Sequence, residues 1–143
     1  MIQMRYHYVK MKLITRDTDY AVRALCYMAE KEDGKASAAE LVSEIRIPRP
    51  FLRKILQALN REGILRSSKG KGGGFELARQ PNEISVNDVI NVFQGKMSLN
   101  ECTFKKKKCP NTKNCALRRK IDVIENFALE QFKKLNIQTL TGE

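Results

Sequence analysis

Histidine is nearly missing from this chain of 143 residues: the single copy, His7, falls among the first ten. Its absence elsewhere removes any Ser–His or Cys–His arrangement, and the acids are scattered along helices with no nucleophile–base pair to place. An enzyme is therefore not expected. Long apolar runs are missing too, none approaching the roughly 18 residues of a membrane span. The opening Met-Ile-Gln-Met-Arg-Tyr-His-Tyr-Val-Lys is basic and too poor in apolar residues for a secretory signal. Met11 opens the patterned part, so residues 1–10 read as an N-terminal extension. These absences point to the cytoplasm, with reduced thiols and no membrane partner. Acid is also scarce, with 16 Asp and Glu against 27 Lys and Arg, a formal charge of +11. With 42% hydrophobic residues the chain suits one packed domain. Its basic surplus suggests a polyanionic partner, most often nucleic acid.

What is present organises itself in order. Residues 15–31 predict a helix, capped by Thr15 or Asp17 and apolar almost all round, so buried on more than one side. Cys26 lies inside that run and reads as a small core residue. Ser37 and Glu40 have the spacing of a capping box, and behind them Ala38, Leu41, Val42 and Ile45 share one helical face. Pro48 interrupts, and the next helix begins near Pro50 with Leu52, Ile55, Leu56 and Leu59 on its apolar side. The opposite side carries Arg49, Arg53, Lys54, Gln57, Asn60 and Arg61, the side-chain types that reach base edges and phosphates. A short capped helix, a tight turn and a second helix with that outer face is a helix-turn-helix pattern.

Residues 64–68 and 75–78 alternate like two short strands. Between them Lys69-Gly-Lys-Gly-Gly-Gly74 forms a hairpin tip able to approach another backbone closely. Its spacing fits neither a P-loop nor a dinucleotide fingerprint. With the helices it makes a winged helix, the wing lying near a minor groove or phosphates. Ser85 caps a further helix ending at Gly95. From near Ala116 to Leu135, Leu117, Ile121, Ile124, Ala128, Phe132 and Leu135 recur at three- and four-residue steps, a stripe broad enough to want a partner helix.

Between those last two helices, Cys102, Cys109 and Cys115 lie within fourteen positions, in a stretch without helical or strand periodicity. Three thiols on a loop suit a metal or iron–sulfur centre with a fourth ligand from elsewhere, and an odd number argues against a simple disulfide framework. Gaps of six and five fit a zinc site poorly, since zinc cysteines usually come as two close pairs. An electron carrier would want four close cysteines. Lys105 to Lys108 read as a solvated basic run. The chain divides into a winged helix-turn-helix domain over 11–95, a cysteine loop over 96–116 and a dimerisation helix with tail over 117–143. The fold class is mainly α with a small β-hairpin.

Taken together, residues 15–25, 47–56, Gly72-Gly-Gly-Phe75 and the three-cysteine loop resemble the Rrf-two family of bacterial winged-helix regulators. The resemblance covers 11–135. It implies a homodimer that binds an operator through Arg49, Pro50, Arg53, Lys54 and Gln57 and through the wing residues Lys69, Gly70, Lys71 and Gly72, with the terminal helix as the seam. Some members carry an iron–sulfur cluster, and Cys102, Cys109 and Cys115 match their ligating positions. In one branch a histidine three residues after the last cysteine completes the set; here that position is Arg118. In another, an aspartate near the start of the first helix does so from the other subunit, and Asp19 matches it. Departures in the recognition helix, Arg49, Pro50 and Arg53 among them, keep the operator sequence from being carried over.

Overall fold

The computed structural model describes residues 12–99 and 114–142. Helix α1 (Arg16–Ala29) begins where Thr15 turns extended and its hydroxyl accepts the Thr18 N–H, with Asp17 and Asp19 in the first turn. There the helix dipole favours negative charge. The helix stops at Ala29, two residues before the sequence expectation. The Lys31 N–H reaches back only to the Met28 carbonyl, a tightened last turn that cannot propagate. Helix α2 (Ala38–Ile45) carries the capping box in full: Glu40 N–H donates to Ser37 Oγ at 3.1 Å and Ser37 N–H to Glu40 Oε2 at 3.4 Å. It ends at Arg46, which adopts the left-handed conformation with φ 52°. Buried Ile47 and then Pro48 complete the turn into helix α3 (Arg49–Arg61).

Strands β2 (Leu65–Ser68) and β3 (Gly74–Leu77) form the antiparallel hairpin expected from the alternation. A third strand, β1 (Lys35–Ala36), pairs with the other edge of β3 and gives the order β1-β3-β2. Two residues are too few for any periodicity to announce it. Gly74 is required at that crossing, because a Cβ there would lie 2.6 Å from the Ala36 carbonyl oxygen.

After a 3-10 turn at Pro81–Glu83 come α4 (Val86–Gln94), capped by Ser85 as expected, and α5 (Ala116–Lys134). The chain then doubles back. Val86 N–H donates to the Leu135 carbonyl at 2.8 Å and Ile137 N–H to the Ile84 carbonyl at 3.0 Å. This short pairing seats a last helix, α6 (Ile137–Thr141), against α1, with Ile137 wholly buried. The core gathers Leu25 and Met28 of α1, Leu41 of α2, Leu52, Ile55, Leu56 and Leu59 of α3, and Ile84, Val89 and Ile137. The architecture is mainly helical with a small antiparallel sheet, a winged helix with a long helix after it.

Candidate nucleic-acid interface and cysteine stretch

Helix α3 is two-sided for a reason visible in its own sequence. Four apolar side chains, at positions 52, 55, 56 and 59, share one face and are buried. That leaves Arg49, Pro50, Arg53, Lys54, Gln57, Asn60 and Arg61 exposed. The face is cationic and rich in amide and guanidinium donors, and no acid lies in its first turn. The remaining expected contacts, Lys69, Gly70, Lys71 and Gly72, are exposed at the tip of the hairpin. Gly70 and Gly72 take φ of 105° and 83°, which side-chain-bearing residues rarely adopt. Gly73 N–H closes the tip on the Gly70 carbonyl at 2.8 Å. The base of the wing meets the start of α2, where Ser37, Glu40, Ser68 and Gly72 are among the residues lining a cleft of about 230 Å³. Lys35 and Arg66 flank Glu76 at 3.2 and 3.6 Å across the three strands.

The helices behind this face are tied by the capping-box residue Glu40 through two further contacts that no pattern announces. Glu40 accepts from Lys31 Nζ at 2.6 Å and from the Tyr27 hydroxyl at 2.8 Å, with the Lys31 ammonium 5.9 Å from the Tyr27 ring centre. These donors, Lys31 first, hold the Glu40 carboxyl below its usual range. The same contacts raise Lys31 and Tyr27.

Of the three clustered cysteines, Cys102 and Cys109 lie outside the described residues. Cys115 is the N-cap of α5, half-buried, its sulfur accepting the Arg118 N–H at 3.5 Å. Asp19 is half-exposed on the first turn of α1 and ion-paired with Arg23 at 3.0 Å. Among the described residues no three Cys, His, Asp or Glu side chains converge as a metal would require. The donor types still suit iron: a thiol sulfur at a helix start and a surface carboxylate that another chain could approach. Cys26 is different. Burial, with Glu30 second, pushes its thiol up to about 11, so it stays protonated; the side chain is half-buried and packs against the core, where the sequence setting predicts a core residue.

Two side chains, Gln94 and Glu125, tie down the described residues ahead of the cysteine stretch, and neither has a local signature. The Gln94 amide at the end of α4 accepts from Thr15 N–H at 2.9 Å and from the Thr18 hydroxyl at 2.7 Å, and donates to the Leu13 carbonyl at 3.1 Å. Glu125 of α5 accepts the Leu99 N–H at 2.8 Å. Helix α5 itself has no buried residue. Leu117, Val123, Ile124 and Phe127 are each 58–67% exposed, while Ile121, Ala128 and Phe132 beside them are partly covered. No helix among the described residues is long and apolar enough to cross a membrane.

Residues 14–143 match the model of the Rrf2 (Rrf-two) family, described as an iron-dependent transcriptional regulator. A protein of Aquifex aeolicus (strain VF5) assigned as an HTH-type transcriptional regulator is 32% identical over 123 residues, 85% of either chain. The HTH-type transcriptional regulator NsrR of Shouchella clausii is 34% identical over 90 residues, 62% of this chain and 60% of its own. Among solved structures, CymR, the global cysteine regulator of B. subtilis, superposes with a TM-score of 0.77 at 21% identity, over 92% of this chain and 97% of its own. At that identity the likeness concerns the fold.

Proposed function

Because this chain belongs to the Rrf-two family of DNA-binding transcriptional regulators, which are not enzymes, we propose that it is a homodimeric operator-binding protein whose affinity is set at the cysteine loop. The observation that carries the DNA-binding half is the division of α3 into a side buried through Leu52, Ile55, Leu56 and Leu59 and an exposed side carrying Arg49, Arg53, Lys54, Gln57, Asn60 and Arg61. Such a helix is bound to its domain by one face and free to enter a major groove with the other. Arg53, Lys54 and Gln57 would reach bases and phosphates there, with Arg49 and Pro50 at the entry. Lys69, Gly70, Lys71 and Gly72 would lie along the backbone or minor groove beside it. The +11 charge supplies the long-range attraction. Its signature is a steep fall of affinity with salt, log K against log [salt] dropping by about 0.9 for each phosphate neutralised.

For the sensing half, Cys102, Cys109 and Cys115 would hold an iron–sulfur cluster, with the partner subunit's Asp19 as the fourth ligand. When bound, the cluster supplies a centre that reacts with oxidants or nitric oxide and responds to iron supply. The family's iron-dependent description and the NsrR relative support this reading. The chain's own part is mechanical. Gln94 and Glu125 anchor the residues leading into the loop to the start of α1 and to α5. A change in the loop is thereby passed to the helix carrying Asp19 and to the helix proposed as the dimer seam. That is a local event biasing an element with two arrangements.

The test is anaerobic purification with iron and sulfide analysis, an ultraviolet–visible spectrum and operator titration at matched salt. Wild type, Cys109→Ala and Asp19→Ala are compared. The expected result is a coloured wild type whose iron is lost in Cys109→Ala and whose spectrum changes in Asp19→Ala. Equal operator affinity with and without the cluster would sink the sensing claim. A colourless, iron-free protein that binds DNA would leave the other reading, a cluster-free or zinc-stabilised regulator with thiol-based or no sensing.

A further inference from the structure

The exposed side of α3 is polar except in its first turn, at Pro50 and Phe51. Phe51, in the first turn, leaves 48% of its surface in solvent, whereas Leu52, Ile55, Leu56 and Leu59 are buried. A single exposed apolar residue is ordinary on a protein surface. Its setting here is not. Its neighbour Pro50 is also exposed and has no N–H, while the N–H groups of Phe51 and Leu52 both turn back to the Pro48 carbonyl, at 3.0 and 3.1 Å. Pro48 supplies no side-chain cap. The start of α3 is therefore poorly equipped to hold a phosphate on backbone N–H groups, the usual use of a helix N-terminus. It presents two apolar rings between Arg49 and Arg53.

Recognition helices bring their N-terminal residues against base edges. In the major groove those edges offer hydrogen-bond donors and acceptors and a single apolar group, the C5 methyl of thymine. We propose that Phe51, flanked by Pro50, is a specificity-determining residue that packs against a thymine methyl in the operator. This rests on α3 entering the major groove, as proposed above. The contact is worth roughly fourfold in affinity, about what burying one methylene-sized group contributes.

The test selects preferred duplexes from a random pool and then replaces each thymine singly with uracil, which removes the methyl alone. Wild type, Phe51→Ala, Phe51→Leu and Arg53→Ala are titrated on every duplex at one salt concentration. The expected result is a thymine whose replacement weakens wild type roughly fourfold and leaves Phe51→Ala unchanged. Phe51→Leu should keep part of the difference, and it carries the test if the alanine variant does not fold. Equal methyl effects in wild type and the Phe51 variants, or no methyl-sensitive thymine, would overturn the proposal. Arg53→Ala binding every duplex as wild type does would instead remove α3 from the groove, a failure of the underlying reading.

Discussion

Glu40 shows how one side chain serves two ends. Its backbone N–H and one oxygen complete the Ser37 capping box, and its other oxygen ties α2 to Lys31 and Tyr27. A carboxyl held below its ordinary value near 4.5 stabilises the native chain above that value. The contribution is lost as pH falls through the lower, folded value. Lys31, raised above its ordinary 10.5, contributes below that value and loses its effect as pH rises through the higher one. Glu40→Gln keeps an amide able to complete the capping box and removes the charge. It should lower the thermal midpoint at pH 7, and the gap from wild type should close as pH drops below about 4.5. Thermal melts from pH 3 to 8 check this; a gap that does not change with pH would assign Glu40 a packing role only.

At the scale of elements, α3 and the wing depend on different physics. Helix α3 is held by burial. Leu56, fully buried, should cost about 2–5 kcal/mol when cut to alanine, read as a lower urea midpoint with little change in slope. The wing is held by close backbone approach. In Gly74→Ala the new Cβ would press on the Ala36 carbonyl oxygen at 2.6 Å, against backbone that cannot swing away. The β1–β3 pair must open, at about 1–3 kcal/mol. DNA affinity should fall with it if the wing tip touches DNA, and urea unfolding beside operator titration separates the two losses.

At the scale of the molecule, α5 is the unfinished part. A helix of 19 residues with none buried gains little from its own chain beyond its contacts with α4. The proposed second copy would cover Leu117, Val123, Ile124 and Phe127, side by side on the exposed side. Phe127→Glu should raise the dimer dissociation constant roughly a hundredfold, from about 3 kcal/mol lost over two symmetry-related sites. Sedimentation measures the shift toward monomer. Unchanged circular dichroism is expected, because Phe127 lies outside the core. A variant that stays dimeric at the same concentration would place the seam elsewhere.

What the residues alone determined about this protein is what depends on short range. The caps at Thr15, Ser37 and Ser85 were legible because each is a bond between residues three apart. The exposed side of α3 was legible because four apolar positions at helical spacing leave the charged and amide side chains outside. The glycine run told of the wing, since few other residues accept those backbone angles. Only the tertiary structure decided the rest. Strand β1 exists through its partner β3, and α6 through backbone bonds between 135–137 and 84–86. Gln94 acquires its place from groups 76 to 81 residues away. Local sequence carries no trace of such bonds, because a backbone group or an amide looks the same whatever distant partner it meets. For the proposed cluster the sequence supplies three cysteines and their spacing, whereas the proposed Asp19 ligand depends on a neighbour that the linear order of one chain does not contain.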